Sequence, residues 1–128
     1  MPTPTTEAKV QPSTKSQIRL AILGSARDGS NAVIALAEEL SRAVKANEPG
    51  VLNYTWSKAQ DSDSWVIEEE YQDFTAFSAH MEQMKNSGKM RELGKAFQIE
   101  KVLVLTGEPD VVGPLLGPLP TVYFTNVN

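Results

Sequence analysis

Val51–Lys58 reads VLNYTWSK, Ala59–Ser64 reads AQDSDS and Trp65–Tyr71 reads WVIEEEY. Two runs rich in aromatic and β-branched residues flank a short polar segment, which is the signature of a hairpin. Alternation puts Trp65, Ile67, Glu69 and Tyr71 on one face of the second strand and Val66, Glu68 and Glu70 on the other. The same rule groups Leu52, Tyr54 and Trp56 against Val51, Asn53 and Thr55 in the first strand.

Helical patterns lie on both sides of this hairpin. Upstream, Val33, Leu36 or Ala37, Leu40 and Val44 recur at helical spacing after a capping Ser30 or Asn31, and Asn47-Glu48-Pro49-Gly50 stops the helix. Downstream, Asp73 is placed to cap a second helix whose apolar stripe is Phe74, Phe77, Met81 and Met84. Asn86-Ser87-Gly88 interrupts it, and Met90, Leu93 and Phe97 mark a short continuation. Ile18–Ala26 and Ile99–Thr106 are the outer strands. The order βαββαβ predicts an α+β, ferredoxin-like domain with an antiparallel four-stranded sheet. Right-handed crossovers then put both helices on one face. Val102, Leu103, Val104 and Leu105 are apolar in succession, which suits burial on both sides of the sheet. A second copy covering the open face is the simplest remedy, so a homodimer is expected.

Residues 1–16 are rich in Pro, Thr, Ser and Lys and read as a disordered leader. The ferredoxin-like domain is placed at 17–108 and a C-terminal extension at 109–128. That extension is apolar but broken by Pro and Gly, with Val122-Tyr123-Phe124 as a short strand, and is expected to cross to a partner or cover a pocket mouth. The 128 residues suit one domain, and a hydrophobic share of 41% supports a core. A net charge of −4 with no Lys/Arg run argues against nucleic acid as a partner. No apolar stretch reaches the length of a membrane span. The chain has no cysteine, which removes thiolate chemistry and fits a reducing, cytoplasmic location. One histidine and alternating Glu68-Glu69-Glu70 leave no convergent metal ligands, so no metal is expected. No phosphate loop or nucleophile elbow is present.

Glu48–Tyr54, EPGVLNY, and Trp65–His80, WVIEEEYQDFTAFSAH, carry a further signal. Pro49-Gly50 leads into a strand. Trp65, Ile67, Glu69 and Tyr71 then lead into a helix with Ala76 and His80 four residues apart. This composite resembles the antibiotic biosynthesis monooxygenase domain family, loosely from Ile18 to Gly107. The resemblance implies a dimeric α/β barrel with a pocket between each sheet and its helices. It also implies oxygenation of phenolic compounds without flavin, haem or metal in some members, and other chemistry or none in others. The haem-degrading relatives use an Asn in the first strand and a later helix histidine, and this chain has neither.

His80 is the only histidine. As a general base it would deprotonate a phenol or other electron-rich carbon acid, and the anion would react directly with dioxygen. The structural reading is a helix histidine bonded to a neighbouring strand or set at a dimer seam. Glu69, on an apolar face, is either a proton acceptor or an orienter of His80, or else a structural carboxylate in a salt bridge or capping the entry to the second helix. Asn53 is either a donor to developing negative charge or a polar sheet residue. Trp56, Trp65, Tyr71, Phe77 and Met84 are the expected contacts to a small aromatic or apolar substrate, although such side chains also simply fill cores. A cofactor-free monooxygenase is the first expectation. A non-catalytic ligand-binding or stress-associated dimer is the alternative, as is an isomerase or decarboxylase using the same pocket.

Overall fold

The computed structural model describes residues 17–128, so the expected leader lies outside the described residues. The elements are β1 (Ile18–Ala26), α1 (Asn31–Asn47), β2 (Val51–Lys58), β3 (Ser64–Tyr71), α2 (Phe74–Asn86), α3 (Lys89–Ala96), β4 (Phe97–Thr106), α4 (Pro109–Leu116) and β5 (Thr121–Tyr123). The sheet order is β2-β3-β1-β4-β5. The first four strands pair antiparallel, and β5 adds a parallel edge beside β4. The fold is therefore the expected ferredoxin-like α+β arrangement with one strand more.

Helix α1 buries Val33, Leu36, Ala37, Leu40 and Val44, the stripe read from spacing. Asp73 caps α2 by accepting the Ala76 backbone N–H at 2.9 Å. Ser30 precedes α1 but makes no side-chain cap bond. Its hydroxyl instead donates to Asp63 at 2.6 Å and accepts the Trp65 indole N–H at 3.1 Å, tying the hairpin loop to the helix start. Phe97, expected at the end of the second helical stretch, is the first residue of β4 and is fully buried.

Two features depart from simple alternation and repeat. A bulge at Leu52 breaks the β2–β3 register, pairing Val51 with Tyr71 and Tyr54 with Glu69. Val51, Tyr54 and Trp56 consequently share the helix-covered face. Leu52 is half exposed, at 50%. The extension also holds α4, which its prolines disguised. Pro109 lies in the first turn, where the missing N–H costs nothing, and Pro114 falls near the end of a short helix. Val112 and Leu116 then join the core beside Ile18, Tyr71 and Phe77.

The core has two parts on the helix-covered face. One gathers Leu20, Tyr71, Phe77, Val102 and Val104 with α4. The other gathers Val33, Leu40, Trp65, Met84 and Phe97. Ile22 and Ile99 touch both, and the site lies at this seam. The opposite face is mixed. Ala21, Leu23, Val66 and Leu103 are half-buried there, among exposed Arg19, Glu68 and Lys101. Among the described residues no helix is long and apolar enough to cross a membrane.

Candidate functional site

At the seam a cavity of about 60 Å³ lies between the sheet and helices α2 and α3. The sheet floor includes Tyr54 and Trp56 from β2 and Ile67 and Glu69 from β3. His80 and Met84 from α2 close one side. Met81, Met90 and Leu116 complete the helical wall, with Leu119 from the segment after α4. Pleating aims Glu69 inward, two residues on from Ile67. Helical spacing from Phe77 through His80 to Met84 puts the imidazole on the buried stripe.

His80 is 3% exposed. Its Nδ1 lies 2.9 Å from Glu48 Oε1 at the end of α1. A carboxylate there favours the tautomer with the proton on Nδ1, leaving Nε2 as a base. No other hydrogen bond to the ring is formed among the described residues. The Tyr54 and Tyr71 rings lie 5.3 and 5.7 Å from the imidazole, centroid to centroid, and fix its plane from two sides. The Tyr71 hydroxyl donates to Glu69 Oε1 at 2.6 Å. The Trp56 indole Nε1 is buried without an acceptor in hydrogen-bonding geometry, an uncommon state for a buried donor.

Burial pushes the Glu69 carboxyl up from its ordinary range; His80 and the Tyr71 hydroxyl draw it back without cancelling the rise, and Glu48 adds to it. Burial likewise raises the Tyr54 phenol, with Glu69 and Glu48 adding to the shift and Trp56 opposing it. Tyr71 rises for the same reason, chiefly burial and then Glu69. Both phenols stay protonated, and Tyr71 donates its O–H to Glu69. The native state holds the Glu69 proton more tightly than the unfolded chain does. The resulting stabilisation is complete below the unfolded carboxylate pKa and is lost as pH rises through the raised native value. Glu69→Gln keeps an acceptor for Tyr71. Melting curves from acid to alkaline pH should show wild type losing stability relative to this variant as pH rises. Parallel curves would refute a raised Glu69.

The structure thus brings together His80, Glu69, Trp56 and Met84 of the residues expected from sequence. It does not bring in Asn53. Asn53 is exposed and paired with Glu70 on the face opposite Tyr54 and Trp56, as strand alternation places it, and its Oδ1 accepts from the Thr55 hydroxyl at 2.6 Å. Trp65 lies outside the cavity because its indole is anchored on Ser30. Tyr71 and Phe77 are fully buried core residues whose rings stack edge-on at 5.2 Å, and Tyr71 acts on the cavity only through Glu69. Glu48 was missed as a partner of His80. The only hint was its place beside Pro49-Gly50. Among the described residues no cluster of three His, Asp or Glu side chains could hold a metal ion.

The fold and site define a ferredoxin-like α+β protein with a small, largely apolar cavity around one carboxylate-paired histidine. The sequence pattern of the antibiotic biosynthesis monooxygenase family matches residues 25–96, more than half of the chain, and the protein belongs to that family. Among solved structures it is similar to MupZ from Pseudomonas fluorescens, with TM-score 0.61 and 16% identity over 88% of this chain and 93% of that one. It is also similar to SnoaB, a cofactor-independent oxygenase from Streptomyces nogalater, with TM-score 0.60 and 17% identity over 73% and 94%. A Mycobacterium tuberculosis protein gives TM-score 0.62 and 20% identity over 73% and 96%. These likenesses establish the shared fold. A comparison with curated proteins finds no match.

Proposed function

We propose that the protein is a cofactor-independent monooxygenase acting on a phenolic, quinol-type or similarly electron-rich small molecule. One observation carries this reading. A single cavity holds a histidine oriented by Glu48 and a buried indole N–H that meets no acceptor in full hydrogen-bonding geometry, with the Tyr54 hydroxyl its neighbour. His80 Nε2 would take the proton that acidifies such a substrate. The substrate anion then passes electrons to dioxygen, and a carbon–oxygen bond forms to give a hydroperoxide. Loss of water leaves a carbonyl. For a CH₂ flanked by aromatic rings, one oxygen atom ends in the ketone and the other in water. The substrate supplies all the electrons, so the balance needs no external reductant. The Trp56 N–H and the Tyr54 hydroxyl are the donors available to the developing oxyanion. Met84 would pack against the ring.

SnoaB, a cofactor-independent oxygenase with the same fold, supports this assignment by analogy. The mixed outer face of the sheet, with Leu23, Val66 and Leu103 half-buried, fits coverage by a second copy, and a homodimer belongs to the proposal. The test is oxygen uptake with a panel of anthrones and hydroquinones in metal-free buffer. Uptake with stoichiometric quinone formation supports the enzyme. Saturable binding without uptake overturns it in favour of a ligand-binding protein.

A further inference from the structure

An apolar cavity of roughly 150 Å³ is needed to hold one benzene ring. At about 60 Å³ the space beside His80 is closed to any aromatic substrate, so part of its wall must move. The floor belongs to paired strands and is fixed by the sheet. The helical wall is different. Met81, Met90 and Leu116 line the cavity on one side and, on the other, an open groove of about 590 Å³ between α2 and α4. Only these three side chains are shared by the two spaces. Two are methionines, unbranched and adaptable. Met90 is 38% exposed and sits in the first turn of α3, just after Gly88, which adopts a left-handed conformation at φ 80°. Swinging the Met90 side chain outward costs little buried area.

Resting on the proposed reading of the inner cavity, we infer that the α2–α4 groove is the outer half of the substrate site and that Met90 is the gate between the halves. The merged space would take an elongated aromatic molecule. Its reacting ring would lie at His80 and its remaining rings in the groove. The groove is two-sided: Pro114, Leu115 and Pro118 offer an apolar wall, and Ser78 and Asn86 offer hydrogen bonds. Glu82 and Lys85 on the same rim carry opposite charges, so the groove favours a neutral, hydroxyl- or carbonyl-bearing edge over an ionic one.

The chain has no cysteine, so Asn86→Cys gives a unique exposed attachment point on the groove rim. Anaerobic binding of anthrone and of phenol, followed by tryptophan fluorescence, is the readout. A bulky maleimide on Asn86→Cys should weaken anthrone at least tenfold, about the worth of the apolar ring area it displaces, and leave phenol much less affected. Met90→Ala should speed anthrone association by about tenfold, within the spread that entry barriers give to association rates. The same maleimide on Lys45→Cys, on the outer side of α1, should change neither ligand. Anthrone binding that ignores the Asn86 label overturns the groove, and an unaltered rate in Met90→Ala overturns the gate. If oxygen uptake persists in the labelled protein at the wild-type rate, the outer site alone falls. If anthrone binds no variant, Met90→Ala included, the reading of the inner cavity falls with it.

Discussion

His80→Ala should lower the rate of oxygen uptake by about 10²- to 10⁴-fold, the range a positioned general base contributes. The loss should appear mainly in kcat, because the imidazole acts on the proton and the aromatic wall does the binding. The variant also strands the Glu48 carboxylate, whose side chain is only 15% exposed. Some loss of stability is therefore expected as well, and it has to be separated from lost chemistry. His80→Gln separates them. It offers Glu48 an amide donor and fills most of the space, but it cannot accept a proton near neutrality. It should melt closer to wild type and be as inactive as His80→Ala. Glu48→Gln tests the other half of the pair. It leaves the base in place with its tautomer no longer set by a carboxylate. It should cut kcat by about ten- to a hundredfold, the usual cost of removing a group that orients a histidine. A His80→Ala protein that keeps most of its oxygen uptake would refute the assignment, whatever its stability.

The contrast between His80 and Asn53 shows what the sequence contained. The strand and helix periods of β1 to β4, α1 and α2 are local properties of the chain, and they are enough to specify the ferredoxin-like order. His80 follows directly from them, since Phe77, His80 and Met84 must share a helix face. Asn53 is a candidate through the family resemblance, while alternation already sets it opposite Tyr54 and Trp56, where the structure has it; the extra residue at Leu52 changes only Val51, which joins the face of Tyr54. Alternation cannot reveal a bulge. The Glu48–His80 contact spans 32 positions and depends on how α1 ends against α2, which no local pattern encodes. The two tryptophans face the same side of the sheet, yet one is captured by Ser30 and the other opens on the cavity. That difference arises from where the helices sit. Helix α4 was obscured for a third reason. Pro109, Gly113, Pro114 and Gly117 read as breaks, and only packing of Val112 and Leu116 holds those eight residues in a helix.

Gly24→Ala should destabilise the fold by about 3 kcal/mol, the upper end of the usual overpacking range. Gly24 is buried in the middle of β1, where sequence alone shows only a glycine in an apolar run. A methyl group added there would overlap the Gln98 carbonyl oxygen of β4 and come within 2.5 Å of Phe97 Cζ. The carbonyl belongs to the sheet and cannot retreat without disturbing the ladder. Phe97 is 1% exposed. Its ring already lies 6.1 Å from that of Trp56, centroid to centroid, in a tilted contact. Displacing it therefore presses on the indole that lines the His80 cavity. For a domain of this size the expected loss corresponds to a midpoint lower by roughly 10 °C. The tryptophan emission of the folded variant should also change, because the strain is delivered to Trp56. Phe97→Leu in the same chain supplies the check. A smaller side chain at position 97 gives the new methyl room, so the double variant should be more stable than the sum of the two single losses predicts. Simple additivity would mean that the Gln98 backbone, and not the Phe97 ring, sets the limit, and the link between this strand and the cavity would be lost.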